Sequence, residues 1–313
     1  MPLIEYVPKT FSRDRLAMIE NVNGVVEEYQ QQGYSLTLRQ VYYQMVARDI
    51  IPNNMRSYKN LGNLINDARL AGLVDWEAIE DRTRNLRGNS HWSTPGSVIR
   101  SAAFSYRLDH WEGQEEYIEV WVEKDALVGI VGQICGKLDV DYFSCRGYVS
   151  QSEMWSAALR LRRRQRQGKH IVLLHLGDHD PSGKDMSRDI QERLKLFGTF
   201  GVTFKRLALN MDQIEEYNPP PNPAKLTDSR ATRYIEEFGT ECWELDALEP
   251  SVITSLIKEN VEQYRDSDTY EEVIQRERRE KEQLDDLADY YSDIMPHWES
   301  IKDRYVFGSE GDE

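Results

Sequence analysis

IVLLHLGDHDPSG, residues 171–183, joins a nearly continuous apolar run to an acidic turn. Six residues of that kind suit a central strand covered on both faces. Pro181 fits the first position of a helix and Asp180 its N-cap, so the segment predicts strand, tight turn, helix. Working outward, YIEVWV (117–122) predicts a strand and 124–138 a helix. Residues 141–145 predict another strand, about 150–167 a helix, and 202–209 a further strand. Strands alternating with helices imply βαβ units, hence an α/β class with a mostly parallel sheet flanked by helices.

Acids stand where these strands end. Glu123 directly follows YIEVWV, and Asp178 and Asp180 follow IVLLHLG. Sites in wound parallel sheets form at the carboxyl ends of strands. If the two strands are neighbours, three carboxylates converge at one edge. Like charges that close resist ionising together unless a cation neutralises them. Oxygen-only ligands suit Mg²⁺, with Mn²⁺ as a substitute. Alternation along an extended chain turns His179 away from the two aspartates. The structural reading of the same residues makes Asp180 a cap only and pairs Glu123 with Lys124 or an arginine.

The first ninety residues read differently. A helix is expected over 12–32, stopped by Gly33. Thr37 and Gln40 form a capping box that opens a helix to about Asp49. A third helix is expected over 58–70, with Leu61, Leu64, Ile65 and Ala68 inward and Gly72 at its end. Short extended pieces and a polar loop through residue 88 complete the outline of a winged-helix module. In the second helix Leu38, Val41, Tyr42, Met45 and Val46 form the core stripe. Tyr43 projects about 100° further round, towards solvent or a partner. Arg39 shares its face, where a guanidinium would lower the phenol pKa and hold a phosphate.

The expected organisation is a helical or winged-helix domain over 1–90, an α/β metal domain over 91–255 and an acidic helical segment over 256–313. Residues 91–111 read as a helix, 218–225 (NPPPNPAK) as a proline-rich loop, and 259–293 as a charged, solvated or self-associating helix. The 313 residues carry a formal net charge of −15, with 40% apolar and 30% charged residues, an ordinary globular balance. No apolar run is long enough to span a membrane, so no membrane association is expected. The opening MPLIEYVPKTFSRDRL lacks the apolar core of a secretory signal, and the expected location is the cytoplasm. Cys135, Cys145 and Cys242 have neither zinc spacing nor a partner pattern and read as buried thiols. Charge is uneven. Residues 159–170 hold six Lys or Arg and no acid, and Arg82, Arg84 and Arg87 form a second basic group.

VEKDAL (122–127) followed by LLHLGDHDPSG (173–183) resembles a TOPRIM domain. The Asp-x-Asp-Pro-x-Gly form is similar to the A subunit of type IIB DNA topoisomerases and the related meiotic double-strand-break transesterase. CRGYVSQS (145–152), ELDAL (244–248) and the Arg-x-x-Tyr-Tyr of residues 39–43 look similar too, so the resemblance spans roughly residues 35–250. It implies Mg²⁺ on Glu123, Asp178 and Asp180. It also implies Tyr43 as nucleophile and Arg39 as transition-state stabiliser, leaving a 5′-phosphotyrosyl link on DNA. Arg146, Arg162, Arg163 and Arg164, with Arg82 and Arg84, would contact the DNA backbone. The family takes tyrosine and metal from different protomers, which implies a homodimer. No GxxxxGK[ST] or other ATP site is present, so strand passage would need a separate ATPase subunit. Two alternatives stay open: a hydrolytic TOPRIM nuclease, and a catalytically silent DNA-binding or assembly protein. Backbone chemistry alone does not separate DNA from RNA.

Overall fold

A computed structural model of the chain describes residues 3–80, 89–223 and 230–306. It runs α1 (Arg13–Gln31), β1 (Leu36–Thr37), α2 (Leu38–Ala47), α3 (Met55–Leu70), β2 (Ile79–Glu80) and α4 (Pro95–Ser105). There follow β3 (Glu116–Val122), α5 (Val128–Leu138), β4 (Asp141–Ser144), α6 (Gln151–Arg166), β5 (His170–Leu176), α7 (Pro181–Leu196) and β6 (Val202–Ala208). The chain continues through α8 (Met211–Tyr217), β7 (Asn222–Pro223), α9 (Ala231–Phe238) and β8 (Glu241–Cys242). It ends with α10 (Pro250–Glu262), α11 (Ser267–Asp289) and α12 (Tyr291–Val306). Among the described residues no helix is long and apolar enough to cross a membrane.

Contacts divide the chain into two compact units, Met1–Asn85 with Glu115–Tyr264, and Leu86–Gln114 with Arg265–Glu313. These units do not follow the boundaries expected at residues 90 and 255. The first unit holds a four-stranded parallel sheet of order β4-β3-β5-β6. β3 and β5 are direct neighbours, with Val122 opposite Leu176. Both parities of β5 are buried, as the apolar run predicts. Ile171 and Leu173 pack with Met154, Ala157 and Leu161 of α6 and Ile190 and Leu194 of α7. Val172, Leu174 and Leu176 alternate to the other face.

Glu119 is a charged residue inside this core. It is buried on β3, and Arg160 grips both its oxygens at 2.7 and 2.9 Å. Tyr117 and Trp121 donate to it at 2.9 and 2.8 Å. A buried charge is tolerable only when paired and fully hydrogen-bonded, so Arg160 of the basic run is tied to the fold. The three cysteines are free and buried.

At the front of the same unit α1, α2 and α3 surround a core of Val25, Tyr29, Val41, Met45 and Ile65. The Thr37–Gln40 capping box is present, and Gly33 and Gly72 take the left-handed backbone that lets each helix end turn away. The wing is not established. The extended piece here is a two-residue parallel pairing of β1 with β2, and the remainder of the expected wing, with Arg82, Arg84 and Arg87, lies outside the described residues.

In the second unit, the helix expected over 91–111 is the shorter α4, opened by a Thr94–Ser97 capping box. The charged stretch 259–293 is not one helix. It breaks after α10, and Asp266 caps α11 by accepting from the Thr269 amide at 2.8 Å. α11 packs along α4, and its Glu277 is buried. That carboxylate accepts from the Leu108 amide at 2.9 Å and Lys281 Nζ at 2.6 Å.

The turn after β5 has a steric requirement that explains Gly183. A Cβ there would sit 2.2 Å from the Asp178 carbonyl oxygen, and backbone on both sides leaves nothing flexible to yield. Gly183→Ala is therefore expected to destabilise the protein by about 1–3 kcal/mol despite alanine's better helix propensity. Thermal or denaturant unfolding checks this, and an unchanged or raised midpoint would refute the packing account.

Candidate active site

The register of β3 against β5 brings Glu123 beside the turn that carries Asp178 and Asp180. The Glu123 amide donates to Leu176 at 2.9 Å, and the Asp178 amide donates to Glu123 Oε2 at 3.0 Å. A Cβ at 177 would lie 2.9 Å from Glu123 Oε2 and 3.0 Å from the His175 ring, so a larger residue there would displace the Glu123 carboxylate. Arg206, on β6, pins the turn from below. It donates to the carbonyls of Gly177, Asp178 and Gly183 at 2.9, 2.5 and 3.0 Å, and to Ser187 Oγ at 2.5 Å. Burial lowers its pKa, and Glu123 and Asp178 oppose that shift.

Burial raises the pKa of Glu123, and Asp180 pushes the same way. Asp178 is pushed up to about 8, first by burial and then by the Glu123 charge, against the pull of Lys124. Asp178 is fully engaged. Its Oδ1 accepts from the Leu245 amide at 2.8 Å and its Oδ2 pairs with Lys124 Nζ at 2.7 Å. Asp180 caps α7, accepting from the Gly183 amide at 2.6 Å. The three acids thus share one edge, yet among the described residues no group of three or more His, Cys, Asp or Glu is arranged to hold a metal ion. Lys124 stands at Asp178 where a cation would be needed. Glu123 and Asp180 each keep one oxygen that no hydrogen bond among the described residues uses. Two carboxylates completed by water and phosphate oxygens are a donor set that fits Mg²⁺.

His179 faces away from this edge. It is buried, its Nδ1 lies 2.7 Å from the Tyr234 hydroxyl, and its backbone bridges to Trp243. Burial brings its pKa down to about 4.

The segment Glu244–Leu248 connects the sheet edge to the tyrosine helix. Glu244 accepts from Lys124 Nζ at 3.0 Å and from Arg39, and Arg39 Nε donates to Asp246 at 2.6 Å. Asp246 is buried, with Oδ1 unpartnered. Despite burial, Lys124 and Arg39 hold the Glu244 carboxyl down at about 2.

Two expectations for Tyr43 are overturned. It does not face solvent: only 5% of its surface is exposed, because Leu245–Ala247 packs over the side of α2 that the helical wheel leaves open. Its pKa is raised, not lowered. Burial dominates, Asp246 and Glu244 add to it, and Arg39, 5.6 Å from the ring centre, opposes them without prevailing. The Glu244 carboxylate lines the same cleft as the Tyr43 ring. Tyr42 is a packing residue as expected, its hydroxyl donating to Asn53 at 2.9 Å. Beside them lies a cleft of about 200 Å³ lined by Arg39, Tyr43, Asn54, Tyr58 and Glu244.

The basic residues separate. Arg146 follows β4 at the acidic edge, exposed, in left-handed backbone and 3.0 Å from Asp125. Arg162, Arg163 and Arg164 do not join it. α6 returns antiparallel to the strands, so these residues stand about 17–20 Å along the helix from its start, towards the amino edge of the sheet. Arg164 lies over the Tyr117 ring there at 4.5 Å, and Arg162 reaches the Phe197 carbonyl at 3.5 Å. Arg206, Glu244 and Asp246 had no role in the sequence reading, and Lys124, expected there as a partner for Glu123, pairs with Asp178 and Glu244 instead. A charge inside the predicted strand 202–209 was the available signal for Arg206.

Comparison of the chain with protein-family models, with curated proteins and with solved structures finds no match.

His175, buried on β5 with Nδ1 3.0 Å from Ser187 Oγ, has its pKa driven down to about 3 by burial and by Arg206. The unfolded chain protonates this ring near pH 6.5, the folded chain only near 3, so protons favour unfolding across that interval. Stability is expected to fall as pH drops below about 6.5. His175→Gln should show a flatter melting profile between pH 7 and 4, even if its midpoint at pH 7 is lower. Identical slopes in the two proteins would refute this assignment.

Proposed function

We propose that this chain breaks a DNA strand by transesterification, with Tyr43 as the nucleophile. The observation that carries the proposal is a shared carboxylate: Glu244 is held at once by Arg39 of the tyrosine helix and by Lys124 of the acidic edge. A phosphodiester entering the Tyr43 cleft would meet both cations. As they turn to the phosphate they release Glu244, whose affinity for a proton rises. The Tyr43 proton then passes to Glu244 as the phenol oxygen bonds to phosphorus, and the bond from phosphorus to the 3′ oxygen breaks. That oxygen leaves as a 3′ hydroxyl after taking up a proton, and the 5′ phosphate stays on Tyr43. Arg39 balances charge on the phosphate as it reacts. Glu123 and Asp180 would hold Mg²⁺ or Mn²⁺, which supplies Lewis-acid polarisation of a phosphate oxygen.

Glu244 links the tyrosine helix to the acidic edge within one chain, so on this reading one copy would supply both. A homodimer would serve to break both strands, and an ATPase subunit only to pass a strand.

The burial and raised pKa of Tyr43 favour a second reading, a nuclease that hydrolyses the backbone with Tyr43 as a packing residue. One experiment separates the two. With Mg²⁺ or Mn²⁺ and end-labelled DNA, wild-type protein is expected to remain attached to 5′ ends on denaturing gels, and chelation to prevent this. Tyr43→Phe should abolish attachment, and Glu244→Gln should slow it by roughly 10²- to 10⁴-fold. Cleavage that persists in Tyr43→Phe with free 5′ ends selects the hydrolytic reading. Intact DNA with wild-type protein that still binds it would reject both.

A further inference from the structure

We infer that Lys124 is a gate on the acidic edge: seated on Asp178 it stands in for a divalent cation, and a nucleic-acid phosphate that draws it off opens Asp178 to the metal. The inference rests on the reading above that Glu123 and Asp180 hold Mg²⁺ or Mn²⁺, and adds what controls its loading.

The three carboxylates share one arrangement. Each has an oxygen fixed by a backbone amide: Glu123 Oε2 by Asp178 at 3.0 Å, Asp178 Oδ1 by Leu245 at 2.8 Å, and Asp180 Oδ1 by Gly183 at 2.6 Å. The backbone thus orients all three acids without help from a side chain. Their second oxygens differ. Those of Glu123 and Asp180 accept no hydrogen bond among the described residues. That of Asp178 is held by Lys124 Nζ at 2.7 Å.

The two cations at this edge behave differently. Arg206 gives its hydrogen bonds to the carbonyls of Gly177, Asp178, Gly183 and Leu209 and to Ser187 Oγ, and none to a carboxylate. It braces the turn and cannot leave without releasing it. Lys124 is instead a compact charge on a flexible stem. Its ammonium already reaches Glu244 at 3.0 Å, and Glu244 lines the Tyr43 cleft. The lysine therefore has a second anchor on the side from which a phosphate would arrive.

Two cations cannot share Asp178 Oδ2, because charges a few ångströms apart repel strongly in a partly buried place. The edge accordingly has low affinity for a divalent ion while Lys124 is seated. A phosphate in the cleft offers Lys124 a new partner and leaves Asp178 Oδ2 negative, oriented and open. Mg²⁺ commonly takes one or two carboxylates together with substrate phosphate oxygens, which suits such an order of events. The coupling is reciprocal: the factor by which phosphate raises affinity for metal is the factor by which metal raises affinity for phosphate.

The test reads Mn²⁺ binding by the free full-length protein, from the loss of the free-ion electron paramagnetic resonance signal. Lys124→Gln is expected to bind Mn²⁺ about 5- to 150-fold more tightly than wild type. Lys124→Arg, which keeps a cation, should show no such gain, and Asp178→Asn added to Lys124→Gln should cancel it. In chelator Lys124→Gln should melt below wild type, because it strands Asp178, and Mn²⁺ should restore the midpoint. Tyr43→Phe supplies a second measurement with Lys124 in place. At constant ionic strength, Mn²⁺ should tighten its binding to a DNA duplex by a factor in the same range of about 5 to 150. Equal Mn²⁺ affinity in wild type and Lys124→Gln, or duplex binding by Tyr43→Phe that Mn²⁺ leaves unchanged, would overturn the inference. A gain in Lys124→Gln with DNA left intact by wild-type protein would keep the gate and remove the cleavage reading. Covalent cleavage with equal Mn²⁺ affinities would do the reverse.

Discussion

Lys124 lies between two carboxylates, 2.7 Å from Asp178 on the sheet and 3.0 Å from Glu244 on the segment that covers it. Arg39 completes the set by holding Glu244 and Asp246 from the helical layer. Each of these charges would be costly alone, because desolvation of an ion amounts to several kcal/mol. Together they compensate one another. Loss of either cation would strand a buried carboxylate, a defect that typically destabilises by about 3–5 kcal/mol. The packing of α2 on residues 244–248, the orientation of Tyr43 and the state of Asp178 all follow from this one arrangement.

That arrangement also limits what the acidic edge can do unaided. A lysine held by Asp178 neutralises part of the charge that would otherwise draw a divalent ion. On the reading proposed above, a phosphate group would compete for Lys124 and Arg39, and Tyr43, whose pKa burial raises, would gain a proton acceptor only with the backbone in place.

Six residues of the turn after β5 have structural tasks. Gly177 makes room for Glu123, Asp178 receives Leu245 and Lys124, and His179 fills an aromatic box of Tyr234, Phe238 and Trp243. Asp180 caps, Pro181 starts the helix, and Gly183 lets Asp178 approach. Such tasks do not exclude chemistry, because a site is accurate only when the backbone under it is rigid. Arg206 supplies that rigidity, with four hydrogen bonds to the turn and the helix it opens.

The sheet was legible because its signals are local. An apolar run ended by Gly177 and Asp178 marks β5, strand-length runs between helical stretches mark its neighbours, and the Thr37–Gln40 and Asp180–Gly183 spacings mark helix starts within four residues. The meeting of Glu123 with Asp178 was legible only as a condition, and strand order met it. What the chain alone left undecided lies in contacts between residues far apart. Arg39 meets Glu244 across some two hundred positions, and the segment 245–247 packed over α2 buries a supposedly outward Tyr43 and raises its pKa. The direction of α6 likewise carried Arg163 and Arg164 away from the acids. Periodicity reports which side of an element is apolar, but what covers the other side is decided by tertiary packing.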